Sequence, residues 1–278
     1  YMNSFLKKRH KGYTKNISSP INSRITCSRL SPYITYGNLS SKQVYQIFSN
    51  SRNRDIRSFL SRLQWRCHFM QKFDDEPRME FENINTAYNS IRNEFNKDLL
   101  TKWEEGKTGI PIIDACMRCL NETGYLNFRM RAMIVSFAAF NLWQNWKNFS
   151  HFLARKFLDY EPGIHYSQIQ MQSAVTGINT VRIYNPIKNS KLLDPDGKFI
   201  KKWVSELKSV PKEYIHEPWK MTKIEQEMYN FSISDNYFSP IIDIEQSRKN
   251  ASEKIWKIRK GSKSIIHAKK IIKKHVNS

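Results

Sequence analysis

Apolar side chains in this chain recur mainly at intervals of three and four, the spacing that gathers one face of an α-helix. Between 55 and 73, Ile56, Phe59, Leu60, Leu63 and Cys67 form such a stripe and predict an amphipathic helix. The same periodicity predicts helices over 111–122, 125–147, 149–158 and 199–207, and two basic ones over 244–259 and 263–275. Ser40 and Ser41 suit the N-cap of a helix over Val44–Phe48, because a serine oxygen accepts from the unpaired amides of a first turn. Residues 1–20 read as a basic helix stopped by Ser18-Ser19-Pro20. The stretch 74–100 is polar and partly loop. The stretch 159–198 reads as loop-rich, with Pro162, Gly163, Gly177, Pro186, Pro195 and Gly197 as breakers, and the chain turns irregular after Trp219. No alternating pattern of strand length occurs, so the expected class is all-α.

Charge changes the picture. The formal net charge is +21 over 278 residues, and it is concentrated at the ends. Residues 1–66 carry 13 Lys or Arg against one acid, Asp55, and residues 248–278 carry 11 against one, Glu253. The middle is close to neutral. Two basic ends on a neutral body suit a polyanion, most simply nucleic acid; a composition biased to Lys, Asn and Ile is the other source of such lysines. The length allows one large domain with a real core. Charges interrupt every apolar run, so no membrane span is expected, and no signal peptide is visible. Cys116 and Cys119 form a C-x-x-C, but Ile112, Ile113, Met117 and Leu120 place it on a helix, and no second ligand pair follows for zinc. The four cysteines therefore read as reduced thiols of a cytoplasmic, monomeric protein, with no metal.

Five motifs occur in order: Trp103-Glu-Glu-Gly-Lys-Thr-Gly-Ile-Pro111, Asp114-Ala-Cys-Met-Arg118, Gly124-Tyr-Leu-Asn-Phe-Arg-Met-Arg131, Arg182-Ile-Tyr-Asn-Pro186 and Ile215-His-Glu-Pro-Trp219. Upstream, Ser28-Arg29-Leu30-Ser31 precedes Pro32. It offers hydroxyls, amides and a guanidinium at a helix start, a donor set that can hold phosphate or simply cap the helix. Together these segments resemble the helical FAD-binding half of the DNA photolyase and cryptochrome family. The resemblance implies a multi-helix domain that holds FAD in a U shape. It assigns Ser28, Arg29, Leu30 and Ser31 to the phosphates and Tyr13 to the flavin. Arg131 and Asp159 would form an ion pair against the flavin ring, with Arg66, Glu161 and His165 beside it. Trp65 would stack on a flipped-out pyrimidine dimer, Arg129 and Met171 would line the lesion side, and Trp146 would belong to the electron-transfer chain. Trp65 also fits a core position on an amphipathic helix.

Several family residues are replaced. The lesion-binding glutamate three residues before Trp65 is Arg62, the lesion-facing asparagine falls on Phe128, and the methionine four residues on is Ala132. The Trp-x-Trp beside the flavin reads Ile169-Gln170-Met171, which removes the second stacking tryptophan and the one nearest the flavin. The outermost tryptophan of the electron chain falls near Asn93, leaving Trp146, with Tyr160 and Tyr166 as candidate substitutes. The asparagine facing flavin N5 is His165. The resemblance implies a light-driven lyase that repairs cyclobutane pyrimidine dimers in DNA, with a preference for single strands because the aromatic clamp is weakened. A cryptochrome-like photoreceptor without repair is the alternative, and a DNA-binding helical domain that has lost its flavin the third reading. The expected layout is a helical FAD-binding and catalytic domain over 1–258 and a basic helical extension over 259–278, with the family's upstream α/β antenna domain absent from this chain.

Overall fold

The computed structural model describes residues 1–233 and 235–275. Among them the architecture is helical, as the periodicity predicts, with one isolated bridge between Ile233 and Tyr237 and no strand. No described helix is long and apolar enough to cross a membrane. The main helices are α1 (Ser41–Ser49), α2 (Arg54–Asp75), α3 (Lys97–Glu105), α4 (Pro111–Thr123), α5 (Phe128–Ser136), α6 (Trp146–Lys156), α7 (Pro162–Gln172), α8 (Pro186–Leu193), α9 (Lys198–Trp203), α10 (Ile244–Arg259) and α11 (Ser262–His275).

Local chemistry explains where these begin. Ser40 and Gln43 form a capping box at α1, and the Asn53 side chain accepts from the amides of Asp55 and Ile56 at α2. Each satisfies amides that a first turn leaves unpaired. The first half of α2 buries Ile56, Phe59, Leu60 and Leu63 in an N-terminal core with Phe5, Tyr13, Val44 and Phe48. Its second half packs on α7 beside a larger core built around α4 and α5. α2 thus bridges two cores, and Trp65 and Arg66 lie at its middle. Within the larger core, buried Asp114 accepts from Thr108 N at 2.8 Å, Thr108 Oγ1 at 2.6 Å and Gly109 N at 3.0 Å, and from the Tyr237 hydroxyl. The Asp114 motif therefore fastens the irregular segment near Tyr237 to α4.

Three expectations are corrected. Residues 1–20 are not one helix. A π-helical turn over Phe5–Arg9 ends before Gly12, whose φ of 82° no helix accommodates, and a short helix restarts at Tyr13–Asn16. The Asp55 carboxylate holds this restart, accepting from the amides of Gly12 and Thr14 at 2.9 Å each. The expected helix over 125–147 begins at Phe128, ends in a π-helical turn at Phe137–Asn141, and gives way to Trp143 at φ 54°. Trp146 consequently opens α6, capped by Asn145. Pro162 and Pro186 are not breakers. Each is the first residue of a helix, where its missing N–H has no intrahelical partner to lose. The polar stretch 74–100 is partly loop, as expected, and runs into α3, which an Asn96 cap begins.

The described part of the basic segment, 259–275, is seated on the larger body. Asn85 Nδ2 donates to Ser264 O at 3.2 Å, Thr86 Oγ1 hydrogen-bonds His267 Nδ1 at 2.9 Å, and Lys274 Nζ pairs with Glu76 at 2.6 Å. Residues 276–278 lie outside the described residues.

Candidate functional site

The loop between α6 and α7 carries Asp159 and Glu161, and two arginines from different helices take them. Arg131 of α5 meets Asp159 with two parallel bonds, Nη1–Oδ1 at 2.9 Å and Nη2–Oδ2 at 3.0 Å. Its Nε donates to Leu126 O at 2.7 Å, and its guanidinium lies over the Phe157 ring at 4.2 Å. Burial alone pushes the Asp159 carboxyl up; the Arg131 charge, with hydrogen bonds from Arg131 and Ser31, outweighs this and holds it below the usual carboxylate range. Arg66 of α2 pairs with Glu161 at 3.3 Å, both side chains largely buried. Two buried ion pairs on one loop are costly to desolvate for stability alone. They fix the loop and present two guanidinium groups with little freedom to move.

The Ser31 hydroxyl, through Asp159, joins this centre to the segment Ser28–Ser31. That segment is held from behind by Arg9, which donates to Ser28 O at 3.1 Å and to Cys27 O. Arg29 sits at φ 57°, an uncommon region for a bulky residue that costs on the order of 1–3 kcal/mol. Its guanidinium lies over the Tyr1 ring at 4.6 Å, while its Nε is buried without a partner. A strained arginine with an unspent buried donor, beside two serines at a helix start, fits an anionic dinucleotide better than it fits a plain cap. Tyr13 is buried against Phe5 and Phe59 in the N-terminal core. Tyr125 lies between the guanidinium groups of Arg24 and Arg131, each 5.5 Å from its ring; sequence reasoning missed this pairing.

His165 follows Glu161 by one turn. Its Nε2 faces Ser150 O at 3.0 Å, and since a carbonyl only accepts, that nitrogen carries the proton. Burial lowers its pKa to about 4, with a smaller contribution from the Arg131 charge. The ring stands edge-on to Tyr160 at 5.2 Å and to Tyr166 at 5.1 Å. Tyr166 in turn meets Trp146 at 6.3 Å. Trp146 is buried, donating its indole N–H to Asn83 Oδ1 at 2.7 Å.

Away from this centre, Trp65 is 50% exposed and stands against His68 and Phe69. Arg129 donates to the Tyr184 hydroxyl at 3.1 Å, which ties the Gly124–Arg131 motif to the Arg182–Pro186 motif. Met171 is half-buried at the end of α7, and Leu30 packs into the N-terminal core. The structure therefore gathers Ser31, Arg66, Arg131, Asp159, Glu161 and His165 around one loop. Trp146 joins them through Tyr166. Glu80 and Asn83 were not legible as partners of this site, because the stretch that carries them shows only polar composition.

Comparison with known proteins gives the frame for this geometry. Residues 59–257 match the family model described as the FAD binding domain of DNA photolyase. A deoxyribodipyrimidine photo-lyase of Alkalihalophilus pseudofirmus is 36% identical over 252 residues, covering 89% of this chain and 52% of that protein. Cryptochrome-1 of Drosophila melanogaster is 30% identical over 241 residues, covering 79% and 44%. The crystal structure of a bacterial class III photolyase from Agrobacterium tumefaciens superposes with a TM-score of 0.85 at 24% identity, covering 94% of this chain and 55% of that one. The chain spans about half the length of the curated relatives it matches.

Proposed function

Because this chain belongs to the DNA photolyase and cryptochrome family, we propose that it repairs cyclobutane pyrimidine dimers in DNA under blue light. Its cofactor is FAD. The flavin, when bound, supplies the light-driven electron that splits the dimer, so the chain needs no general acid or base for the chemistry. What the residues do is bind, orient and exclude water. Ser28, Arg29, Leu30 and Ser31 would hold the phosphates. Arg131 with Asp159, and Arg66 with Glu161, would set a fixed charge pattern for the flavin, and Tyr13 and His165 would be its further partners. Trp65 would be the platform for a base taken out of the stack, and Arg129 and Met171 would serve the lesion side as the family resemblance implies.

The observation that carries repair over a photoreceptor role is Trp65. An indole left half exposed in the middle of a rigid helix, next to an arginine tied into the ion-pair centre, suits stacking on an extruded base. The basic ends supply phosphate affinity. The replaced residues Arg62 and Phe128 favour the photoreceptor reading instead.

The test starts from chemically reduced protein, so that flavin photoreduction is not limiting, and follows dimer loss on matched single- and double-stranded substrates. Repair is expected, faster on the single strand. Base–aromatic stacking is worth about 1–3 kcal/mol, so Trp65→Ala should weaken lesion binding by roughly ten-fold or more. Absence of repair on both substrates moves the chain to the photoreceptor reading. Equal repair on both keeps the lyase and removes the argument from Met171.

A further inference from the structure

The aromatic groups behind the ion-pair centre form a series: Tyr160 to His165 at 5.2 Å, His165 to Tyr166 at 5.1 Å, and Tyr166 to Trp146 at 6.3 Å between ring centroids. These are contact distances, so an electron vacancy entering near His165 can reach any of them. Where it comes to rest depends on protons. An oxidised indole keeps its N–H for a time, whereas an oxidised phenol is strongly acidic and forms readily only if a base takes its proton at once. Trp146 donates to the amide oxygen of Asn83, which is not a base. Tyr166 donates to the Glu80 carboxylate, Oη–Oε1 3.2 Å. Phe73 stacks on the same ring at 6.1 Å and 15°, holding it in plane.

We propose that Tyr166 is a proton-coupled electron donor of this site. One electron leaves its phenol for the photoexcited oxidised flavin, and the phenolic proton passes along the hydrogen bond to Glu80. The inference rests on the flavin-binding reading above. The balance is closed: the phenol becomes a neutral phenoxyl, the carboxylate becomes a carboxylic acid, the flavin gains the electron, and a soluble thiol reductant restores Tyr166 afterwards. Tyr166 is 1% exposed. Burial, followed by its contacts with Tyr160 and Glu80, pushes the phenol up, so it is protonated at rest and has a proton to give. Ile169 and Asn93 offer no oxidisable side chain, so Tyr166 takes the donor role. Trp146 is a side branch beyond it.

The experiment is a blue flash on the protein with bound oxidised flavin, read by transient absorption and electron paramagnetic resonance. A neutral tyrosyl radical is expected, formed more slowly in D2O. Tyr166→Phe keeps the stacked ring and should abolish that radical. Glu80→Gln removes the base and should slow its formation by roughly ten-fold or more. Trp146→Phe should retain it. Far-ultraviolet circular dichroism and flavin absorbance establish that each variant is folded and loaded. The proposal is overturned by an undiminished radical in Tyr166→Phe, or by a wild-type signal from tryptophan alone that Glu80→Gln leaves unchanged. Bound flavin without a tyrosyl radical overturns the relay and leaves the flavin site standing. Failure to retain flavin at all overturns both.

Discussion

At the scale of single residues, His165 shows how burial and one hydrogen bond decide a protonation state. The folded protein holds it neutral, with a pKa lowered to about 4 from 6.5. The unfolded chain therefore binds more protons than the folded one between these values. Stability from this group is fully present above the unfolded pKa and is lost as pH falls through the window, by on the order of 3 kcal/mol in all. His165→Asn should flatten that part of the stability profile. Urea midpoints of the two proteins, compared from about pH 7 to pH 4, check this, since carboxylates titrate alike in both. Parallel profiles would show that His165 already carries a charge when folded. Arg29 is the opposite case: its backbone is strained and, apart from stacking on Tyr1, its buried Nε has no hydrogen-bond partner among the described residues.

At the scale of elements, the site depends on how closely α7 lies on α2. Gly163, the second residue of α7, makes this possible. A Cβ there would stand 2.8 Å from Met70 Cα and 3.0 Å from Phe69 O. Both are backbone atoms of α2 and cannot swing aside. Replacing a helical glycine by alanine normally gains about 1 kcal/mol. Overpacking against fixed backbone costs roughly 1–3 kcal/mol, so the clash should win. Gly163→Ala is expected to lower the thermal midpoint. It should also loosen flavin retention, because pushing α7 outward separates Glu161 from Arg66. An unchanged or raised midpoint would mean that the helices part without cost.

At the scale of the whole molecule, the C-terminal basic helix is seated on the body of the fold. α11 meets the far end of α2 through Lys274 and Glu76, and Lys269, Lys270 and Lys273 remain exposed. If this face meets DNA, each lysine on a phosphate releases counterions. Exchanging Lys269, Lys270 and Lys273 for glutamine should then reduce the log–log salt slope of binding to single-stranded DNA by about 0.7 per lysine engaged. Lys274 is left in place because it holds α11. A slope that stays put would make these lysines a solvated face only.

The sequence by itself determined the helical class, the extent of α2, α4, α10 and α11, the cap at Ser40, and which segments belong to the family. These follow from interactions within a few residues: backbone bonds four apart, apolar periodicity and first-turn capping. The same local reasoning misjudged Pro162 and Pro186. A proline stops a helix or starts one, and only the surrounding chain selects which. It also ran past Gly12 and Trp143, where the backbone leaves the helical region. The pair of Arg131 with Asp159 came from the family resemblance and not from any local pattern, and tertiary structure alone decided the other pairings of the site: Arg66 with Glu161 across 95 positions and Tyr166 with Glu80 across 86. A charged or phenolic side chain carries no local mark of its partner. The partner is chosen when α7 packs on α2 and brings the loop before it between two arginines.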